Sequence, residues 1–341
     1  MTKTEVPGTV TANKQMRKTA LVGGAAILLG VAVLISIGFG SVAMSPLDTL
    51  LTVFGRGDAA SDTILWDIRI PRVFMALLIG ANLAVSGALL QAVMLNPLAD
   101  PGLTGVSSGA AVAVLFIMLV VPGYAFMIPL AAIVGGGFAA VMVYALAWKK
   151  LQGGFTPVRI ILSGVAVNAV FGGIIGLLSI LYSDKLPSAL QWLNGSLSGS
   201  GMRDVAVLLP YSLAGWLAAL LCIRQANILR LGEQTAHNLG QNLNRIRFVL
   251  SFIAVYLAAI SVSTVGLVGF VGLVVPHIAR MMVGSDYRYR LPLSLVLGAL
   301  VLLVADTIGR TAFAPLEIPA GIVMAMVGGP YFLYLMRKGG T

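Results

Sequence analysis

The sequence predicts an all-α fold, a polytopic membrane helical bundle of about ten transmembrane helices. Of the 341 residues, 58% are hydrophobic and only 10% are charged, whereas a soluble domain carries about 25% charged residues. The charged residues fall between long uncharged runs, each able to hold at least one spanning helix of about 20 residues. Backbone groups in lipid must bond within the protein, and the alternating polarity of a membrane barrel is missing, so helices are expected.

The uncharged runs define ten predicted spans, preceded by a polar cytoplasmic segment at residues 1–19. The transmembrane domain is expected to cover residues 20–338. The seventh and eighth spans share one short region, so one of them is expected to be short or broken. In chain order, the spans are predicted at residues 20–42, 70–94, 102–121, 126–148, 158–182, 205–223, 246–262, 266–283, 291–309 and 318–336.

Basic residues in the loops predict the orientation of the bundle. With an even number of spans, both termini share one side, and all but six of the 22 basic residues fall on that side. Cytoplasmic loops carry such an excess, so both termini are predicted to be cytoplasmic in a multi-pass protein of the cell membrane. The net charge of +10 is then explained by the basic residues of the cytoplasmic loops, which orient the protein in a lipid bilayer. No lysine- or arginine-rich block is present, so a nucleic-acid partner is not expected.

Glycine is frequent, with 40 residues, and two pairs have the spacing at which helices pack closely. The pairs are Gly105 with Gly109 and Gly172 with Gly176. Small residues four positions apart let two helix backbones approach each other. Close packing of both pairs is therefore predicted, and sliding or tilting of helices is the alternative.

The residue sets that catalysis or metal binding needs are missing from the sequence. There is one cysteine, Cys222, and no GxxxxGK[ST] loop for a nucleotide phosphate. The predicted spans hold almost no ionisable residues, which a proton-coupled transporter requires. Asp306 is the nearest candidate, and it is expected to pair with Arg310, four positions later. These features predict a transport pathway without catalytic residues, cofactor or metal. An ion-gradient transporter that works alone and a membrane enzyme remain alternatives.

The loop at residues 224–247 is a candidate docking surface on the cytoplasmic side. It is the longest and most polar internal cytoplasmic loop, and its leucines can form an apolar stripe on short helices, interrupted at Gly232 and Gly240. A short amphipathic helix needs a partner that covers its apolar face. That partner is either the bundle itself or another protein.

Three quoted stretches closely resemble the FecCD permease family. They are "RIPRVFMALLIGANLAVSGALLQAVMLNPLADPGLTGVSSGA" at 69–110, "LVGFVGLVVPHIARMMVGSDYRYRLPLSLVLGALVLLVADTIGR" at 267–310, and the following "EIPAGIVMAMVGGPYFLYLM". The resemblance covers about residues 21–338. It implies a membrane subunit of an ABC importer with ten helices, paired with an identical or related permease subunit. Two cytoplasmic ATP-binding subunits and an extracytoplasmic substrate-binding protein complete the implied assembly. Ferric siderophore is the expected cargo; heme and vitamin B12 are the alternatives.

The resemblance also implies roles for residues on the cytoplasmic side. Asn96 and Leu98 match positions that close the pathway, and Thr156 is a weaker gate candidate. The prolines of "NPLADPG" stop both neighbouring helices and stiffen the turn. A tight turn without a gating role is the alternative. The "LGEQTAHNLG" loop resembles the ATPase-coupling element, whose residues would be Leu231, Gly232, Glu233, Leu239 and Gly240.

On the outer side, the resemblance implies that Arg69, Arg72 and Arg310 meet acidic residues of the binding protein. Arginine suits this role because its planar fork binds carboxylates through charge-assisted bonds. Interfacial anchoring of these side chains is the alternative. Candidate pathway residues are Asn82, Asn168 and Trp192. Asn82 and Asn168 alternatively hold helices together, and Trp192 alternatively belongs to the aromatic belt.

Overall fold

A computed structural model describes residues 7–40, 44–148, 156–230, 236, 238 and 241–338 of the chain. All regular structure in these ranges is helical, which confirms the predicted all-α fold. Seven of the described helical segments are long and apolar enough to cross a membrane, and three shorter apolar helices accompany them. Each overlaps one of the ten predicted spans. The seven long ones are Gln15–Gly38, Ala59–Val93, Pro122–Ala147, Pro157–Leu181, Met202–Leu221, Leu243–Val265 and Tyr287–Thr311; the shorter ones are Val106–Val120, Val271–Val283 and Ala320–Leu335.

We number the α-helices α1 to α14 in chain order. Two π-helical segments, Thr63–Arg69 and Phe116–Val120, and two 3₁₀ segments, Pro101–Thr104 and Pro122–Met127, lie between them. The α-helices are α1 Pro7–Gly38, α2 Pro46–Val53, α3 Ala59–Asp62, α4 Ile70–Val93, α5 Val106–Leu115, α6 Ile128–Ala147, α7 Pro157–Leu181, α8 Leu186–Leu193, α9 Met202–Leu221, α10 Ile223–Leu229, α11 Leu243–Val265, α12 Val271–Val283, α13 Tyr287–Thr311 and α14 Ala320–Lys338.

Two boundaries differ from the prediction in an informative way. α1 begins at Pro7, so the polar stretch before residue 20 continues the helix of the first span. A helix is not obliged to end where its sequence turns polar, because its backbone hydrogen bonds are internal. α12 has only 13 residues, which confirms that one of the seventh and eighth spans is short.

α4 is the central helix of the bundle. In its most apolar window 89% of the residues are buried, and it packs against α9, α11, α12 and α13. Glycines allow two of these contacts: a methyl group at Gly80 would overlap the carbonyl oxygen of Gly298 in α13. One at Gly87 would overlap the carbonyl oxygen of Gly272 in α12. Small residues thus let the neighbouring backbones touch α4 directly.

α7 lies at the periphery and contrasts with α4. Only 22% of its apolar window is buried. The predicted packing of Gly105 and Gly109 is confirmed, because added methyl groups there would press on α6. The prediction was wrong for Gly172 and Gly176 within this chain, since no described atom lies within 4 Å of a methyl group at either position. Their side of α7 therefore faces outward from the described part of the chain.

Candidate functional site

The turn that follows α4 contains the predicted gate residues. We call residues 94–100 the gate turn, and the end of the bundle that holds it the inner end, as the orientation prediction has it. Leu95 has a left-handed φ of 48°, which reverses the chain just after the helix. Asn96 Oδ1 then accepts a hydrogen bond from the backbone N–H of Leu98 at 2.9 Å, and its carbonyl oxygen accepts one from Ala99 at 3.2 Å. A local asparagine turn therefore shapes the gate turn, with Asn96 and Leu98 half-buried.

The gate turn leads back into the bundle. Asp100 Oδ1 accepts the N–H of Gly102 at 2.8 Å and so caps the 3₁₀ segment Pro101–Thr104. Pro101 lies beside Gly272 of α12, and the carbonyl oxygen of Leu103 touches the position of Gly164 in α7. A cavity of about 220 Å³ lies here, with Asp100 among its lining residues. The 3₁₀ segment Pro101–Thr104 thus contacts several of the apolar helices.

Thr156 lies at the start of α7, and Asn168 of α7 contacts this 3₁₀ segment. Thr156 is half-buried and precedes α7, and its carbonyl oxygen accepts the N–H of Ile160 at 3.2 Å. Asn168 donates from Nδ2 to the carbonyl oxygen of Gly102 at 3.0 Å, and its Oδ1 accepts from Ser108 at 2.6 Å. Asn168 therefore joins α7 to both the 3₁₀ segment and α5.

The other two candidate pathway residues lie elsewhere in the bundle. Asn82 is fully buried in α4 and donates from Nδ2 to Ser212 Oγ of α9 at 2.8 Å. Trp192 of α8 is half-buried, and its carbonyl oxygen leaves no room for a side chain at Gly266. The structure therefore gives Asn82 a contact between helices and packs Trp192 against the turn that follows α11.

A cluster of charged residues lies at the opposite, outer end. Arg72 donates to both carboxylate oxygens of Asp306, with distances of 2.9 to 3.0 Å, and to Glu317 Oε2 at 2.7 Å. The predicted pair of Asp306 with Arg310 is confirmed at 3.7 Å. Arg310 also donates to Ser36 of α1. Asp306 thus binds two arginines, one from each of the helices α4 and α13.

Arg69 completes the set of predicted docking arginines. Its Nη1 donates to the carbonyl oxygens of Ile37 and Gly38, which end α1, at 2.8 and 3.0 Å. Arg69, Arg72 and Arg310 are only 2%, 5% and 2% exposed, respectively. The sequence correctly brings the three side chains to one end of the bundle. The structure buries them among partners from this chain, and of these partners sequence reasoning predicted only the pair of Arg310 with Asp306.

The five predicted coupling residues, Leu231, Gly232, Glu233, Leu239 and Gly240, lie outside the described residues. The helix that leads to them, α10, is held at the start of α13. Asn227 of α10 donates to Asp286 Oδ1 at 2.9 Å and accepts the N–H of Tyr287 at 3.1 Å. Asn227 therefore ties α10 to the N-terminus of α13.

A buried polar network at the inner end was missed by sequence reasoning. Arg290, placed in a loop by the prediction, is in α13 and only 4% exposed. It donates to Gln91 Oε1 of α4 and to Tyr287 Oη at 2.9 Å. Gln91 in turn donates to the carbonyl oxygen of Ala99 in the gate turn at 3.4 Å. The spacing of Tyr287, Arg290 and Ser294 on one helix face was the available signal.

The described residues contain no group of three or more His, Cys, Asp or Glu side chains that could hold a metal ion. The polar groups in and around the gate turn are amides, hydroxyls, arginines and the carboxylate of Asp100.

Comparison with known proteins identifies the chain's relatives. The FecCD transport family matches residues 28–338. The permease protein of the Fe(3+)-citrate import system of Bacillus subtilis (strain 168) is 39% identical over 328 residues, which are 96% of this chain and 97% of that protein. The cobalamin import system permease protein of Halobacterium salinarum (strain ATCC 700922 / JCM 11081 / NRC-1) is 41% identical over 286 residues, 83% of this chain and 76% of that protein.

A solved structure has the same fold. It is an inward-facing conformation of a metal-chelate type ABC transporter, with a TM-score of 0.83 and 29% sequence identity over 94% of this chain and 99% of that chain. The apolar helices of this chain agree with this match. The chain therefore belongs to the FecCD transport family and is a membrane permease of a metal-chelate type ABC importer.

Proposed function

We propose that this chain is the permease subunit that moves a ferric siderophore, received from a substrate-binding protein, into the cytoplasm by alternating access. The observation that carries the choice of cargo is the match to a ferric-chelate permease over 96% of this chain and 97% of that protein. The cobalamin relative matches a smaller share of both chains, so vitamin B12 is the second candidate. Heme is the remaining cargo suggested by the sequence. Its metal, like that of a ferric siderophore, is already held by its own chelator.

The energy for transport comes, in this proposal, from two ATP-binding subunits at the inner end. Residues 231–240 contact these subunits, and α10 passes the movement to α13 through Asn227. α13 passes it to the gate turn through Arg290 and Gln91. Asn96 and Leu98 then move with the gate turn, and Thr156 moves at the start of α7. This chain performs no catalysis.

A second permease subunit, identical or related, completes the pathway. The outward side of α7, with its open glycines, supports this part of the proposal because close approach of another helix is sterically free there. Asn168 and Trp192 would lie near the pathway, with Asn82 deeper in the helix contacts. Ten membrane crossings and two cytoplasmic termini, in the cell membrane, complete the arrangement.

Docking of the binding protein at the outer end involves the arginine cluster. Arg72 and Arg310 are engaged with Asp306 and, for Arg72, Glu317 in this chain. Docking through Arg72 and Arg310 therefore requires carboxylates of the binding protein to replace these acids, and docking through Arg69 requires them to replace the carbonyl oxygens of Ile37 and Gly38. Glu317 is the acid most open to replacement, because its side chain is 27% exposed while that of Asp306 is 1% exposed.

Uptake measurements test the proposal. Cells with and without this chain, each with an active or an inactivated partner ATPase, would receive radiolabelled ferric siderophores, heme and cobalamin. ATPase-dependent loss of ferric siderophore uptake in cells without the chain is expected. Loss of only heme or only cobalamin uptake would show that this compound, and not a ferric siderophore, is the cargo. Uptake that persists with the inactive ATPase would favour an ion-gradient transporter.

A further inference from the structure

A cavity of about 280 Å³ at the inner end is lined by basic side chains. Arg230 follows α10, Arg280 lies in α12 and Arg290 lies in α13, and all three line the cavity together with Gln91 and Ser285. We call it the basic cavity. Within the ranges that the structure describes, its lining includes no acidic residue. Three positively charged side chains therefore line one cavity without a negative charge from that lining.

Arg290 has no acidic hydrogen-bond partner among the described residues. It is 4% exposed, and its hydrogen-bond acceptors are the neutral oxygens of Gln91, of Tyr287 at 2.9 Å and of Pro276 at 3.3 Å. Burying a charged group is unfavourable unless an opposite charge accompanies it. The neutral acceptors fix the orientation of the guanidinium and leave its charge for a ligand to balance.

Asp286 is the acid next to this region, and it is engaged in a different contact. Its Oδ1 accepts from Asn227 Nδ2 at 2.9 Å and from the backbone N–H of Arg288 at 3.0 Å. It lines a neighbouring groove with Asn227, Arg288 and Arg230, and Arg230 lines the basic cavity as well. Its carboxylate therefore holds α10 to the start of α13 and does not fill the basic cavity.

The size and the donors of the basic cavity define the ligand. Arg230 and Arg280 are exposed, so their forks can move onto a bound group while Arg290 stays fixed. Planar guanidinium groups match the oxygens of phosphate with paired charge-assisted hydrogen bonds. The volume of about 280 Å³ is at the lower limit of ligand sites, which span about 300–1,000 Å³. The arginine donors suit a phosphate group, and the volume is large enough to hold one.

We propose that the basic cavity binds a phosphate group, as free phosphate or as the headgroup of an anionic phospholipid. Basic pockets between membrane helices on the cytoplasmic side are a common form of headgroup site. Leu95 and Pro97 of the gate turn line the same cavity. A bound phosphate therefore joins α10, α12 and α13 beside the gate turn. The proposal holds for any cargo of the transporter.

The test uses the full chain with the subunits that copurify with it, in a neutral detergent without phosphate. One arm adds inorganic phosphate at constant ionic strength, with chloride as the reference anion. The other adds phosphatidylglycerol, with phosphatidylcholine as the reference lipid. The midpoint of thermal unfolding is followed for the wild type, Arg280→Gln, Arg230→Gln and a control, Arg245→Gln, which removes an exposed inner-end charge that does not line the cavity.

A saturable rise of the midpoint is expected for the wild type and for Arg245→Gln. Arg280→Gln should raise the half-saturating concentration of the probe at least about tenfold, because losing one charge-assisted hydrogen bond weakens binding by about that factor. If Arg280→Gln does not fold, Arg230→Gln repeats the test. A response to inorganic phosphate assigns the site to the free anion, and a response to phosphatidylglycerol alone assigns it to a headgroup. No saturable response, or an equal response in all variants, would overturn the proposal.

Loss of the copurifying subunits in Arg280→Gln without binding of either probe would also overturn it, because the cavity would then hold a carboxylate of a partner protein.

Discussion

α13 carries a buried arginine near each end, and the two are stabilised in different ways. At the outer end, Arg310 shares the carboxylate of Asp306 with Arg72, and Glu317 adds a second negative charge. At the inner end, Arg290 has only neutral acceptors among the residues that the structure describes. The exposures are alike, at 2% for Arg310 and 4% for Arg290.

The difference indicates different roles for the two ends. A guanidinium paired with carboxylates inside its own chain is a fixed contact between helices, and removing one partner leaves a costly buried charge. A guanidinium oriented by neutral groups keeps its charge available to a ligand. The outer cluster therefore fastens α1, α4 and α13 together, while the inner network leaves a binding site beside the gate turn.

Removal of the shared carboxylate should have the largest effect. Asp306→Ala leaves Arg72 and Arg310 without their common partner, and breaking a buried charge pair costs about 3–5 kcal/mol. The free energy of unfolding in mixed micelles, followed by tryptophan fluorescence, measures the loss. Asp67→Ala is the control, because Asp67 is exposed near the same end. Equal effects of the two substitutions would show that the outer cluster does not fasten the helices.

The fork of Arg72 should matter separately from its charge. Arg72→Lys keeps the positive charge but cannot reproduce the paired bonds to Asp306 together with the bond to Glu317. A loss of about 2 kcal/mol in the free energy of unfolding is expected, the value of a hydrogen bond to a charged group. The same change at exposed Arg203 should leave stability unaltered. A stable Arg72→Lys protein would mean that charge alone holds the cluster.

The contrast between the two ends also shows what the sequence could predict. The pair of Asp306 with Arg310 follows from a spacing of four residues on one helix, so local geometry determines it. Arg72 is 234 residues away from Asp306, and Arg290 is 199 residues away from Gln91. Both contacts depend on which helices pack against α4, and hydrophobic patterning does not specify those neighbours. The apolar runs predicted the spans, and the family resemblance located the gate turn, but neither gave the burial of the arginines.

Neutralising the inner arginine should cost less than the loss of Asp306. Arg290→Met removes a buried charge that no carboxylate of the described lining balances, and removing that charge stabilises the folded state. This stabilisation offsets part of the free energy lost with the hydrogen bonds to Gln91 and Tyr287. A net loss of about 1–2 kcal/mol in the free energy of unfolding without phosphate is expected. Arg288→Met is the control, because the side chain of Arg288 is 75% exposed. A loss as large as that of Asp306→Ala would show that both ends are fixed contacts of the same kind.

The smallest effect is expected at Asp286, which caps α13 at the inner end. Asp286→Ala should lower the free energy of unfolding at neutral pH by about 1 kcal/mol, the usual value of an N-cap. Partial burial raises the pKa of Asp286, but hydrogen bonds from the Arg288 N–H and from Asn227, with the charges of Arg288 and Arg230, outweigh it and hold the pKa below its ordinary value of 3.8. A lowered pKa in the folded state stabilises the protein above pH 3.8, and this contribution disappears as the carboxyl is protonated at lower pH.

Unfolding measured from pH 7 down to pH 3 checks this sign. The difference between the wild type and Asp286→Ala should be constant near neutral pH and should shrink below about pH 4. Asp286→Asn separates the cap from the charge, because asparagine caps helices as well as aspartate does. If Asp286→Asn behaves like the wild type at neutral pH, the hydrogen bonds hold α10 to α13 and the charge contributes little. If it behaves like Asp286→Ala, the negative charge beside Arg230 is what stabilises this junction, and the inner end then has a carboxylate with a role like that of Asp306.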